Sequence, residues 1–136
     1  MENTSLIERR IKRGDMFYAK LKFGVGSEQT GNRPVLILQN NMGNRYSRTV
    51  IVALITSQVT KKAELPTHCF IQAQNGLRWD SLVLLEHIQT LDKSRLTEYL
   101  GTLKAEYIYK VDRALAISVG LNYIGMFKSQ NSDVIV

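Results

Sequence analysis

Residues 34–38 read PVLIL and residues 49–55 read TVIVALI, and these two apolar runs decide the fold class. Both are rich in branched aliphatic side chains and are too short for a typical helix, which favours buried strands. Pro34 stands first in its run, where a strand needs no backbone donor. The residues between the runs, 40–47, are polar, and we expect a loop there. The two runs therefore predict a pair of buried strands joined by that loop.

Further strand signals lie on both sides of these runs. Residues 16–22 alternate apolar and polar side chains after a turn at residues 13–15. Toward the C-terminus, residues 67–73, 81–88 and 95–103 are strand candidates. A hairpin-like turn at Gln74, Asn75 and Gly76 separates the first two of them. The pattern predicts five to seven short strands.

Helical spacing becomes clear only in the last third of the chain. Ile108, Val111, Leu115 and Val119 recur at three- and four-residue steps, with Thr102 as the expected cap. The side chains expected to face away from the core are Lys104, Tyr107, Lys110 and Arg113. Residues 3–11 also predict a short helix, whereas residues 122–136 carry no clear pattern. The element order predicts a mainly β (α+β) fold, a small antiparallel barrel or curled sheet with an attached C-terminal amphipathic helix.

Composition limits the classes of protein to consider. The chain has 136 residues, of which 44% are hydrophobic, and this suits one domain with one core. No apolar run approaches the roughly 18 residues of a membrane span, and the N-terminus is charged where a secretory signal would be apolar. A single cysteine, Cys69, fits a reducing environment, so we expect a cytoplasmic protein.

Positive charge is concentrated in the first third of the chain. The net charge is +6, of which residues 1–48 contribute +5 and residues 49–136 contribute +1. Such a surface could meet phosphates or an acidic protein, although a basic solvated face without a specific partner is the alternative.

The sequence offers few residues that could bind a metal ion or act as a catalytic nucleophile. His68 and His87 are the two histidines, and each lies in an apolar run without neighbouring ligands, so we expect packed, hydrogen-bonded imidazoles and no metal cofactor. Cys69 follows His68 directly, and successive strand residues point to opposite faces, which disfavours a Cys–His catalytic pair.

Polar residues at strand ends offer a different chemistry. Arg33 directly precedes the first apolar run, and Thr56 and Ser57 directly follow the second. A guanidinium and a hydroxyl brought together at adjacent strand ends could anchor a phosphate. From the spacing alone, a solvated loop arginine is the alternative.

Several segments together resemble the MazF/PemK family of toxin ribonucleases in order and spacing, over residues 13–119. They read RGDMFYAKL (13–21), GSEQTGNRPVLILQNNMGNRYS (26–47), TVIVALITSQ (49–58), KAELPTH (62–68) and DSLVLLEHIQTLDKSRL (80–96). The resemblance implies one toxin domain over residues 1–136 with an SH3-like β-barrel, a helical extension at 1–12 and a tail at 122–136. It also implies a homodimer that cleaves single-stranded RNA (mRNA) at selected sequences without a cofactor. A cognate antitoxin would be the protein partner, with no action on DNA and no membrane contact.

The same resemblance assigns candidate site residues. Arg33 and Thr56 match the family's catalytic arginine and threonine. The positions that match the loop closing over substrate are Gly26, Ser27, Glu28 and Gln29. Asn40, Asn44 and Ser57 lie in matching segments near the site. The resemblance implies cleavage by attack of the ribose 2′-hydroxyl of the RNA on the adjacent phosphorus. Glu28 and a water-mediated path are the two candidates for removing the proton of that hydroxyl.

Two other functions are the alternatives. One is a toxin of this fold that poisons DNA gyrase, and the other is a non-catalytic SH3-like module that binds RNA or peptide. A gyrase poison would not need Arg33 and Thr56, so their joint presence argues against the first alternative. Residues 24–32 and 41–48 are as suited to an antitoxin as to RNA. Together with Lys20, these segments supply positive charge through Arg45 and Arg48 and one stacking surface through Tyr46.

Overall fold

A computed structural model describes residues 11–21, 31–59 and 65–121. The strands of these segments are β1 (Asp15–Leu21), β2 (Gly31–Ile37), β3 (Thr49–Thr56), β4 (His68–Ile71), β5 (Ser81–Asp92) and β6 (Leu96–Thr102). The helices are α1 (Asn41–Tyr46) and α2 (Ala105–Ser118), and a short 3₁₀ turn (Lys93–Arg95) joins β5 to β6. The helix expected at residues 3–11 falls almost wholly outside the described residues, as does the tail at 122–136.

The strands form one antiparallel sheet in the order β4-β5-β3-β2-β1-β6. The two apolar runs are neighbours, with Val35 opposite Leu54 and Ile37 opposite Val52, so the mainly β prediction is confirmed. Within the described part of the chain, β4 and β6 each pair along one edge only. In those segments the ladder therefore does not close into a barrel, which was one of the two forms that the sequence predicted. Helix α2 packs against β4 and β5 and covers that end of the sheet instead.

A bulge in β5 bends the sheet. Residues 49–53 of β3 pair with residues 88–92, and Leu54 then pairs with Leu84, so residues 85–87 of β5 are extra on one side of the ladder. Extra residues in one strand increase its bend and twist. The N-terminal part of β5 consequently pairs with β4, while its C-terminal part continues toward β6.

Both faces of the sheet are buried, which explains the uninterrupted apolar runs. Met16, Leu36 and Ile55 belong to the core beneath α2, whereas their neighbours Phe17 and Val35 belong to a second core on the other face. When successive side chains of a strand point alternately into two apolar cores, both sets are apolar, and the sequence shows no alternation of polar and apolar residues. The second core is enclosed by the curl of the sheet and by Leu91 and Leu96, which end β5 and begin β6.

Strand β2 begins earlier than the sequence predicted. The strand begins at Gly31, so Arg33 is a strand residue paired with Ala19 and not a loop residue. Pro34 lies inside the strand, but the ladder to β3 begins one residue later at Val35, so the missing N–H costs no bond there.

The polar segment 40–47 contains a helix and not a plain loop. The Asn40 side chain accepts a hydrogen bond from the Gly43 N–H and caps α1. Asn44 is buried, and its side-chain amide donates to the Gln39 carbonyl. Polar residues that satisfy backbone groups locally can make a short helix without an apolar stripe.

Helix α2 begins later than its expected cap. Thr102 ends β6, where its hydroxyl donates to the Asp15 carboxylate, and the residue before the helix is Lys104. Tyr107 is buried, contrary to the prediction, and Val119 is 54% exposed because the helix ends at Ser118. Val111, as predicted, is in the core. Among the described residues, no helix is long and apolar enough to span a membrane.

Candidate active site

A cavity of about 210 Å³, termed here the strand-end cavity, lies where β2 begins and β3 ends. Its apolar wall comes from Pro34, Ile55 and Leu77. The polar, charged and aromatic residues that line it are Tyr18, Asn32, Arg33, Thr56, Ser57, Arg78, Trp79 and Ser81. Three predicted site residues, Arg33, Thr56 and Ser57, are thus brought to one place.

The register of the sheet explains why Arg33 and Thr56 meet. Val35 lies opposite Leu54, and two more steps along that antiparallel register put Arg33 opposite Thr56 on the same face. The paired ladder to β3 begins at Val35, whereas residues 31–34 of β2 stay paired with β1. The backbone of Arg33 is therefore held in the sheet on its β1 side, next to the end of β3.

The Thr56 hydroxyl is oriented by the chain that follows it. The Gln58 N–H donates to Thr56 Oγ1 at 3.2 Å. A hydroxyl has one proton to donate and two lone pairs, so this bond occupies a lone pair and leaves the proton available. In the described segments, no acceptor takes that proton. Thr56 can therefore donate to an anion in the cavity.

The charge of the strand-end cavity is positive. Arg33 and Arg78 line it, and no carboxylate does so among the residues that the structure describes. Arg33 is half-buried, and in those same segments nothing forms a hydrogen bond or ion pair with its guanidinium. A guanidinium presents a planar fork of donors that matches two oxygens of a phosphate. The arrangement is chemically suited to a phosphodiester.

Other predicted site residues lie elsewhere. Asn40 and Asn44 lie beyond the far end of β2, whose last residue, Ile37, is about 13 Å from Arg33 at about 3.3 Å per strand residue. Asn44 is fully buried, its side-chain amide donates to the Gln39 carbonyl, and it does not line the strand-end cavity. The predicted loop residues, Gly26 to Gln29, lie outside the described residues.

Sequence reasoning missed Arg78 and Trp79. Neither belongs to a recognisable motif, and both lie in the turn between β4 and β5, far in sequence from Arg33. One signal was available for Trp79, because a large aromatic residue within a polar turn has no strand or helix face to bury it. The indole is 69% exposed.

The two histidines differ, since His68 is buried and hydrogen-bonded whereas His87 is partly buried. His68 is buried, and its Nε2 lies 2.6 Å from Glu86 Oε2, as the sequence predicted for a satisfied imidazole. Burial works to raise the pKa of Glu86, but hydrogen bonds from His68 and Thr67 outweigh it and lower that pKa. Burial raises the pKa of the Cys69 thiol to about 11, so this thiol is a poor nucleophile. The described segments hold no cluster of three metal-ligating side chains.

Comparison with known proteins identifies the group to which this geometry belongs. Residues 12–119 match a family described as "PemK-like, MazF-like toxin of type II toxin-antitoxin system". Endoribonuclease EndoA of Bacillus subtilis is 54% identical over 112 residues, which cover 82% of this chain and 96% of that protein.

Solved structures give the same result. An endoribonuclease in complex with its cognate antitoxin, from a mycobacterial species, superposes with a TM-score of 0.69 at 28% identity. The match covers 83% of this chain and 98% of that one. MazF from Deinococcus radiodurans superposes with a TM-score of 0.68 at 26% identity, covering 82% of this chain and 97% of that one.

Proposed function

The chain belongs to the PemK-like, MazF-like toxin family, and we propose that it is an endoribonuclease toxin that cuts single-stranded RNA in the strand-end cavity. The observation that carries this proposal is the presence of Arg33 and Thr56, from neighbouring strands, in the lining of one positively charged cavity. The 54% sequence identity between this chain and an endoribonuclease of B. subtilis supports the same activity.

The reaction that fits these groups is an internal transesterification. The ribose 2′-oxygen attacks the adjacent phosphorus, and the bond from phosphorus to the 5′-oxygen breaks. The 2′-hydroxyl loses its proton, the leaving 5′-oxygen gains one, and the products carry a 2′,3′-cyclic phosphate and a 5′-hydroxyl. Because the substrate supplies the nucleophile, the protein needs no activated serine or cysteine, and DNA cannot react. The buried, weakly acidic Cys69 is compatible with this reaction.

Arg33 and Thr56 act on the charge that develops at phosphorus. Negative charge grows on the non-bridging oxygens in the transition state, where Arg33 offers two parallel N–H donors and Thr56 a third donor. A donor aimed at developing charge contributes roughly 2.7–4 kcal/mol, or about 10²–10³ in rate. Neither group requires a metal ion, so the proposed reaction is metal-independent.

The reaction needs two proton transfers, one from the attacking 2′-hydroxyl and one to the leaving 5′-oxygen. Arginine is protonated at neutral pH, so Arg33 cannot act as the base and serves as an electrostatic stabiliser. As a protonated group, it is also the candidate proton donor to the leaving oxygen. Glu28 and a water molecule are the two candidates for accepting the 2′-proton.

The remaining features of the toxin follow from the family. We propose one domain over residues 1–136, with a helical extension at 1–12, a tail at 122–136 and a sheet of the SH3-like barrel class. The working unit is a homodimer in the cytoplasm, and a cognate antitoxin with an acidic extended segment covers its basic surface. The complex of a mycobacterial endoribonuclease with its antitoxin supports the last point.

A single incubation tests the proposal. Purified protein is mixed with a long single-stranded RNA in EDTA, and the product ends are identified by mass spectrometry. Discrete fragments with 2′,3′-cyclic phosphate and 5′-hydroxyl ends are expected. Intact RNA would overturn the proposal; inhibition of DNA gyrase would then identify a gyrase poison, and binding of intact RNA would identify a non-catalytic module.

A further inference from the structure

Trp79 stands at the edge of the strand-end cavity with its ring largely in solvent. It lines the cavity beside Arg78, yet 69% of the residue is exposed. In the described segments, its indole makes no ring contact with another aromatic side chain. Leaving a large aromatic ring in water forfeits the burial that normally makes tryptophan favourable. A ligand bound in the strand-end cavity could cover this exposed indole, which makes Trp79 a candidate binding residue.

The backbone beneath Trp79 is held firmly, in contrast to its ring. The Trp79 carbonyl accepts a hydrogen bond from the Ser81 hydroxyl at 2.8 Å, and the Asp80 carboxylate accepts one from the Ala73 N–H at 2.9 Å. Leu77, two residues earlier, is 7% exposed and belongs to the core beneath α2. The ring is thus presented on a fixed support, which reduces the entropy lost when a ligand binds.

Glycine anchors the same turn to the neighbouring strand. The Gly76 N–H donates to the Leu100 carbonyl at 2.6 Å. A Cβ at Gly76 would lie 2.6 Å from that carbonyl oxygen, so a side chain at this position would push the turn away from β6. The close approach fixes where the turn, and with it Trp79, stands relative to the sheet.

The neighbours of Trp79 point to a nucleic acid as its ligand. Arg33 and Arg78 line the same cavity, and no described carboxylate does so. An indole face beside guanidinium groups suits a flat, uncharged ring attached to a phosphate backbone, which is an unpaired nucleotide. An apolar peptide would supply the ring contact but would leave both arginines without anions.

We propose that Trp79 is the stacking platform for an unpaired base next to the phosphate held by Arg33 and Thr56. This inference rests on the proposed endoribonuclease function and adds a substrate-binding residue to it. Stacking on tryptophan holds the nucleotide beside the scissile bond, and Arg78 lies next to it to meet a flanking phosphate. Every base has a flat face, so Trp79 contributes affinity at this position more than choice of base.

Intrinsic fluorescence gives a direct readout, because Trp79 is the only tryptophan of the chain. The probe is a short RNA spanning a mapped cut site, with hydrogen in place of the scissile 2′-hydroxyl so that it binds without being cut. Quenching of the indole emission is expected as the probe saturates the protein, with binding followed independently by the anisotropy of a labelled copy. Saturation without any change in emission would overturn the stacking proposal. Emission that responds to an antitoxin peptide but not to RNA would also overturn it.

Kinetics with substitutions complete the test. Trp79→Ala should lower kcat/KM by roughly 5- to 140-fold, the range for one stacked base, whereas Trp79→Phe should retain most of it. The matched control is Phe70→Ala, which removes an exposed aromatic from β4 outside the strand-end cavity and should leave kcat/KM unchanged.

An abasic scan locates the stacked nucleotide and separates this proposal from the parent one. Single bases around the cut site are removed in turn, and the loss caused by Trp79→Ala should vanish for the RNA that lacks the stacked base. An equal loss on every abasic RNA, or wild-type cleavage by Trp79→Ala, would refute stacking while leaving the nuclease intact. Failure of the unaltered protein to cut any RNA would refute the proposed function itself.

Discussion

Replacing Thr56 with valine is a sharp test of the hydroxyl donor in the strand-end cavity. Valine keeps the β-branched shape at the end of β3 and removes only the group that can donate to the phosphate. The Gln58 N–H loses its 3.2 Å acceptor in this variant, but Gln58 is exposed and water can replace the bond. The free energy of unfolding should therefore change by less than about 0.5 kcal/mol.

The catalytic effect should be far larger than the effect on stability. Loss of one donor to developing charge corresponds to about 10²–10³ in kcat. Thr56→Ser keeps the hydroxyl and should lie within roughly tenfold of the unaltered protein, well above the valine variant. Thr49→Val is the control, because Thr49 begins the same strand, and its hydroxyl is within 3.2 Å of Ser47 and not in the cavity.

The assay is single-turnover cleavage of a short RNA in EDTA, with thermal unfolding of each variant by circular dichroism alongside. A valine variant that folds normally and cuts at the unaltered rate would refute a catalytic role for the hydroxyl. A valine variant that unfolds at lower temperature together with the control would show that strand stability, and not chemistry, had been disturbed.

Three further outcomes follow from the contacts. The lowered pKa of Glu86 means that its ionised form stabilises the fold above the ordinary pKa of 4.5 and that this contribution disappears as pH falls through the folded-state pKa. Urea unfolding should therefore show Glu86→Gln to be less stable than the unaltered protein at pH 7, with the gap closing below about pH 4.5. Asn44→Ala should lower stability by about 1–3 kcal/mol, since it leaves the buried Gln39 carbonyl without its donor, while kcat per folded molecule stays unchanged. Cys69, with a pKa of about 11, should react with a thiol reagent at pH 8 only after denaturant unfolds the protein.

Each of these outcomes has a clear contrary result. A Glu86→Gln gap that widens in acid would show that the carboxylate destabilises the fold. Slower cleavage by a stably folded Asn44→Ala variant would return Asn44 to the active site. Rapid labelling of Cys69 in the native protein would show that β4 opens or that the thiol is accessible.

The strands were predictable because most of their information is local. Runs of branched aliphatic residues at 35–38 and 50–55 serve two buried faces, and their short length favours strands over helices. The turn at 74–77 was predictable for a similar reason, since Asn75 adopts a positive φ of 52° that asparagine tolerates well. The bulge in β5 was not predictable, because it depends on pairing with two different strands.

Errors occurred where side chains bond to distant partners. Thr102 has the chemistry of a helix cap, but its hydroxyl donates to Asp15, 87 residues earlier in the chain. The helical spacing predicts Tyr107 on the outer face of α2, yet it is buried against the core because the helix lies over β4 and β5. Local propensity contains no information about such partners.

The candidate site was partly predictable. Arg33 and Thr56 could be found because each borders an apolar run, and adjacent antiparallel strands bring such ends together. Trp79 and Arg78 could not be placed with them, because their position depends on how the turn between β4 and β5 folds back over the sheet edge.

The cleavage rate of Arg33→Ala measures what the guanidinium on β2 contributes to the reaction. In the proposed mechanism this fixed guanidinium stabilises the charge at the phosphate while the RNA supplies its own nucleophile. In single-turnover cleavage with EDTA, the variant should be at least about 100-fold slower than the unaltered protein, with the same melting temperature. A correctly folded variant that cuts within threefold of the unaltered rate would contradict the account.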